Sequence, residues 1–236
     1  MRSSEDLCLL CKTRKATKTD SHIISKFLTK SVFGQGQRRG FLLDADNSHK
    51  PAKITQDAAK ESYILCPECE KCFEILETYI SSKVHNRLWN PQYANEFRDE
   101  DNGHGIKRRV CINTSPIIFR LLIYSIVWRR SISETPAHRS FKLENGDEEY
   151  LRKILCYFYA HTQDGVLQKV TNDPTIAGDI PFILFTSQSF SDATGNVIAT
   201  LPYARSPHFI ELNQYSLWHV SRLRYNVLFL GIILFV

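Results

Sequence analysis

Apolar residues recur at two different intervals along this chain, and the change of interval divides it. Near the N-terminus, Leu7-Cys8-Leu9-Leu10-Cys11 reads as a short strand, and Lys12 to Asp20 as a polar returning arm of a hairpin. From Ser21 the spacing of Ile23, Ile24, Phe27 and Leu28 predicts a helix, with Asp20 or Ser21 as its cap, ending before Gly34. Tyr63-Ile64-Leu65 is a strand-like approach to Cys66, and Phe73, Leu76 and Ile80 then mark the inward face of a second helix. Residues 83 to 114, rich in Asn, Asp, Arg and Gly, read as a linker. Thr114-Ser115-Pro116 opens a third helix, with proline where its missing N–H costs nothing. Ile117, Ile118, Leu121, Leu122, Ile126 and Val127 nearly encircle that helix, which predicts burial on all sides. A further helix is expected from Glu144 to about His161, its acids gathered at the positive end.

Beyond it the period shortens. Phe182 to Phe185, Val197 to Leu201, Phe209 to Leu212, Tyr215 to Val220 and Tyr225 to Val236 are short apolar runs separated by Gly, Pro, Asn or Asp, and predict an antiparallel meander. The expected fold class is therefore α+β. It comprises an N-terminal unit over 1–82, a linker over 83–114, and a C-terminal domain of two helices and a meander over 115–236.

Composition narrows the class. With 236 residues and 43% hydrophobic content the chain can bury a core. The runs Pro116 to Trp128 and Tyr225 to Val236 fall short of the roughly 20 apolar residues of a spanning helix, so no membrane role is expected. Net charge is +5, but residues 1 to 40 hold nine Lys or Arg against three acids, leaving the rest near neutral. Positive potential concentrated there suits a polyanion such as nucleic acid, and a solvated basic face is the plainer alternative. The glycine-rich stretch Gly34 to Gly40 lacks the lysine and serine pair of a phosphate-binding loop and reads as a basic loop.

Cysteine spacing supplies the chemistry. Cys8-x-x-Cys11 and Cys66-x-x-Cys69, each after a strand-like approach, present the four thiolates of a structural zinc site. Zinc held by four thiolates has no open position, so it supports the fold and leaves any reaction to other residues. Cys72 reads as a spare thiol, Cys111 and Cys156 as core thiols, and seven cysteines in all suit a reducing, cytoplasmic setting.

The order of Cys8-x-x-Cys11, Asp20-Ser21-His22-Ile23-Ile24 and Leu65-Cys66-x-x-Cys69-Glu70 resembles the HNH, or His-Me finger, endonucleases built on a treble-clef zinc scaffold. It is most similar to a bacterial group bearing SHIIxK and LCxxCE segments, here SHIISK and LCPECE, over residues 7 to 80. The resemblance implies metal-dependent phosphodiester hydrolysis, with His22 as the general base and Glu70 at the position of a ligand to a catalytic magnesium ion. The acid that family places directly before the base is Ser21 here, with Asp20 one place earlier. Asp44, Asp46, Asn47 and His49 are secondary candidates for orienting the base. The implied partner is nucleic acid, DNA ahead of RNA, with the C-terminal domain selecting the target or a protein partner. Two other classes compete. One is a zinc-stabilised module that binds nucleic acid or protein without turnover, and the other a structural protein assembling through its C-terminal strands.

Overall fold

A computed structural model of the chain describes residues 2–29, 40–42, 53–55, 59–85, 87, 90–101, 107–136, 138–139, 141–177, 182–186, 189–191, 197–200, 207–212 and 229–230. The Gly34–Gly40 loop up to its last residue, the candidates Asp44, Asp46, Asn47 and His49, and the expected strand Tyr215 to Val220 lie outside these. Helices and small antiparallel sheets alternate along the chain, giving an α+β protein.

Two units divide the chain. The first joins Met1–Lys26, Asp57–Ser81 and Ser115–Gly178, and the second joins Phe27–Gln56, Ser82–Thr114 and Asp179–Val236. Residues 115–178 fall with the cysteine-bearing segments, and the C-terminal strands with Phe27–Gln56 and Ser82–Thr114. The reason is α3, Pro116–Ile132, whose residues from Leu121 to Ser131 are all buried. A helix apolar on every side needs partners on several sides. It finds them in α2 (Pro67–Ile80), α4 (Asn145–Tyr157) and α5 (Gln163–Asn172). Phe73 of α2 meets Trp128 of α3 with ring centroids 6.2 Å apart, and Leu151, Ile154, Leu155 and Phe158 add to the same core. The Tyr79 hydroxyl accepts from the Ser115 backbone N–H at 3.0 Å, fixing the start of α3 to the end of α2.

Helix ends follow local chemistry. Cys66 caps α2 with Pro67 in its first turn, and Ser115 caps α3 by accepting from the Ile118 N–H. α4 stops at Tyr157, short of the expected His161, and the Lys169 ammonium donates to the carbonyls of Tyr157 and Tyr159 beyond its end. The short α5 has no counterpart in the periodicity; its cap, Thr162, accepts from the Gly165 N–H at 3.1 Å.

The segment expected to start a helix at Ser21 begins instead as a strand. Asp20 adopts a left-handed conformation (φ 55°), which turns the chain so that β1 (Ser21–His22) pairs antiparallel with β4 (Lys60–Glu61). The described part of helix α1 is Lys26–Thr29. The Leu7 approach is a single bridge to Lys15 rather than a strand.

In the second unit, β2 (Gly40–Leu42) pairs with β3 (Lys53–Thr55), and β5 (Phe97–Asp101) with β6 (Lys107–Cys111). That last hairpin stands where a linker is expected, with Asp99, Glu100 and Asp101 in register with Arg109, Arg108 and Lys107. The C-terminal strands are not a simple meander. β7 (Phe182–Thr186) pairs with β10 (Pro207–Leu212), β10 with β11 (Phe229–Leu230), and β8 (Ser189–Ser191) with β9 (Val197–Thr200) forms a separate hairpin.

Candidate metal centre

The first cysteine turn is tight because Lys12 takes a left-handed conformation (φ 56°), which lets its N–H reach the Cys8 carbonyl at 2.9 Å. The Cys8 N–H donates to the Arg14 carbonyl at 2.7 Å, closing the loop. Backbone bonds then bring the second turn alongside: Leu9 N–H to the Ile64 carbonyl, Lys18 N–H to the Leu65 carbonyl and Tyr63 N–H to the Lys18 carbonyl, at 2.8–3.1 Å. Cys66 ends this approach as the cap of α2, and Cys69 stands in the first helical turn.

The outcome is one cluster. The sulfurs of Cys8, Cys11, Cys66 and Cys69 all lie within 4.8 Å of one another, and all seven cysteines of the chain are free thiols. A tetrahedral ion bound to four thiolates at about 2.3 Å holds its sulfurs roughly 3.8 Å apart, so the spacing and donor set suit such an ion. Cys8, Cys66 and Cys69 are buried, and Cys11 is half-buried.

The electrostatics of the four sulfurs point the same way. A hydrogen bond from the Cys69 thiol pulls the Cys8 thiol down to about 5, while the same bond pushes Cys69 upward. Burial pushes Cys66 up to about 11. Four thiolates gathered this closely repel one another, and a divalent ion offsets that charge. The Arg14 guanidinium supplies a further positive group, its Nη1 4.0 Å from the Cys66 sulfur and its plane over the Tyr159 ring at 5.7 Å.

The residues implied as catalytic fall beside this cluster. Glu70 follows Cys69 in α2 and is only 9% exposed, and burial raises its pKa. The Ser21 hydroxyl, fully buried, lies against it and offsets part of that rise. Side chains alternate along a strand, so the half-buried His22 turns to the face of β1 opposite Ser21. Asp20 is exposed, its backbone N–H donating to Ser62 Oγ at 3.1 Å. Among the described residues, the four cysteines are the one group of three or more His, Cys, Asp or Glu side chains close enough to hold an ion.

Arg129 joins these pieces. It is 1% exposed in α3 and donates to the His22 carbonyl at 2.7 Å, to Glu77 Oε1 at 2.8 Å and to the Ser125 carbonyl at 3.2 Å. Its guanidinium also faces the Phe73 ring at 5.0 Å. Sequence reasoning passed over both Arg14 and Arg129. Arg129 left one signal, as one of three arginines in a largely apolar helix, where a buried cation must find partners.

Several cations of the basic N-terminal segment are engaged within the protein. Lys12 pairs with Glu149, Lys15 with Glu5, and Arg2 donates to the carbonyls of Tyr63 and Leu7. No described helix is long and apolar enough to cross a membrane. No protein-family profile, curated protein or solved structure matches the chain.

Proposed function

We propose that the four cysteines hold a structural zinc ion in a treble-clef scaffold, and that the chain is an HNH-like, metal-dependent nuclease acting on nucleic acid in the cytoplasm. The observation that carries this reading is the buried Glu70 carboxylate at the start of α2, set against the Ser21 hydroxyl of β1, the strand that also bears His22 on its other face. A carboxylate and a hydroxyl are hard oxygen donors suited to magnesium. The helix start that carries Glu70 also carries Cys69, so zinc would fix the distance between the carboxylate and β1. In this reading the His22 imidazole accepts a proton from the attacking water, and Arg129, through the His22 carbonyl, holds the strand in place. Magnesium, when bound, would neutralise charge developing on the phosphate. DNA stands ahead of RNA as the substrate, and a protein partner reached through the C-terminal strands would direct the module to it.

A second reading is a zinc-stabilised module that binds nucleic acid or protein without turnover. The closure of Glu70 favours it: the carboxylate is 9% exposed and feels the positive charge of Arg129, which weakens its attraction for a second cation.

The test is cleavage of plasmid DNA and of a single RNA by purified protein, with magnesium and with a chelator, in His22→Ala and Glu70→Gln. The nuclease reading expects magnesium-dependent cutting and a loss of about 100-fold or more in His22→Ala. Zinc-loaded, folded protein that cuts neither substrate selects the binding module.

A further inference from the structure

A chain of aromatic rings and cations runs along the surface of the first unit, on the side of the α2 start opposite Glu70. On α4, Tyr150, Lys153 and Tyr157 are exposed and recur at intervals of three and four, which places them in one row. The two tyrosines are 44% and 40% exposed, and seven helical residues separate them by about 10 Å. Lys169 of α5 then reaches over the Tyr157 ring, its Nζ 5.8 Å from the centroid, and binds the Tyr159 carbonyl at 2.7 Å. Tyr159 carries the row onward. Its ring lies under the Arg14 guanidinium and edge-on to His161 at 5.1 Å.

Two features make this row more than scattered exposed rings. Two of the rings are held in place: the Tyr157 hydroxyl donates to Asp173, its ring packs edge-on against Phe158, and the Tyr159 hydroxyl bonds His161. Cations also stand among the rings, Arg14, Lys153 and Lys169, equal in number to the nearby acids Glu68, Asp147 and Asp173, and Lys153 is exposed within the row itself. The acids beside them are engaged, Asp173 by Tyr157 and Glu68 by the charges of Arg14 and His161. Asp147 stands at the far end, one turn before Tyr150.

Fixed rings offer their faces to unpaired bases, and cations between them meet the phosphates that join those bases. A duplex hides its base faces within its own stack and has no use for the rings. We infer that this row is a binding track for single-stranded nucleic acid, with Tyr150 and Tyr157 as stacking platforms and Lys153 between them on the backbone. The inference rests on the nucleic-acid partner of the proposed function, but not on hydrolysis.

The experiment is fluorescence anisotropy of the full chain with a labelled oligothymidylate and, separately, a blunt duplex of equal length, over a series of salt concentrations without magnesium. The expected result is tighter binding to the single strand, weakened about tenfold by Tyr150→Ala and by Tyr157→Ala. Tyr157→Phe should bind as wild type, since it keeps the ring and loses only the Asp173 bond. Lys153→Met should reduce the salt slope by about 0.7. Bound metal and circular dichroism, unchanged in the variants, show that these surface changes leave the fold intact.

Binding to the duplex alone, or alanine variants that bind the single strand as wild type, overturns the track while leaving the nucleic-acid reading standing. Tyrosine-dependent single-strand binding by a protein that cuts nothing overturns hydrolysis and keeps the track. Absence of binding to either probe overturns the track together with the nucleic-acid partner.

Discussion

His138, in the loop between α3 and α4, is 5% exposed, its Nδ1 lacks a hydrogen-bond partner, and it lies near the buried charge of Arg130. Burial, and then that neighbouring charge, lower its pKa from 6.5 to about 3. Arg130 is lowered by burial too, to about 9, and so remains the cation of the pair at neutral pH. The folded protein therefore holds a neutral imidazole that the unfolded chain protonates near 6.5. This contribution is complete above pH 6.5 and is lost as pH falls toward 3, worth on the order of 3 kcal/mol or more across that window. His138→Leu should flatten the difference in urea-unfolding free energy between pH 7 and pH 4.5 relative to wild type. An unchanged pH dependence would contradict a neutral buried His138. Nothing in the sequence around Pro136 to Ser140 distinguishes this residue from a loop histidine, because its burial beside Arg130 of α3 is a tertiary contact. The cysteines were legible for the opposite reason: a CxxC turn is local, and its chemistry is written in four consecutive residues.

Between elements, Arg129 is the tie from α3 to β1 and α2. Removing its charge in Arg129→Met leaves the Glu77 carboxylate, 20% exposed, without its partner and the His22 carbonyl without its donor. The expected loss is about 3 kcal/mol in chemical denaturation, part of it recovered by adding Glu77→Gln, since the neutral amide no longer needs a cation. A loss below about 1 kcal/mol would mean that Arg129 is not the tie. At this scale the helices α2, α3 and α4 were readable from apolar spacing. α5 was not, because its buried residues Val166 and Val170 are too few to set a period, and its cap is a single threonine. β1 was misread because Ile23 and Ile24 belong to a helical pattern in sequence, while the left-handed Asp20 and the pairing with Lys60–Glu61 hold Ser21 and His22 extended. That pairing spans about 40 residues, and local periodicity carries no trace of it.

At the scale of the whole molecule, the first unit is assembled from three separated stretches, and the chain leaves it after Lys26 to return at Asp57. Which of these pieces reunite depends on the burial demand of α3, which local composition does not carry. A metal ion shared by Cys8, Cys11, Cys66 and Cys69 would clamp the two ends of that excursion together, and its binding free energy would be folding free energy for the unit. Removing it with a strong chelator should expose the core packed around α2 and α3 and lower the melting temperature of the protein. Everything proposed for Ser21, His22 and Glu70 depends on the same clamp, because it sets the start of α2 against β1. X-ray absorption on purified, reduced protein tests it most directly, with metal content measured on the same sample. The expected result is one zinc per chain with four sulfurs at about 2.3 Å. A metal-free folded protein, or an absorption spectrum dominated by nitrogen and oxygen ligands, would contradict it.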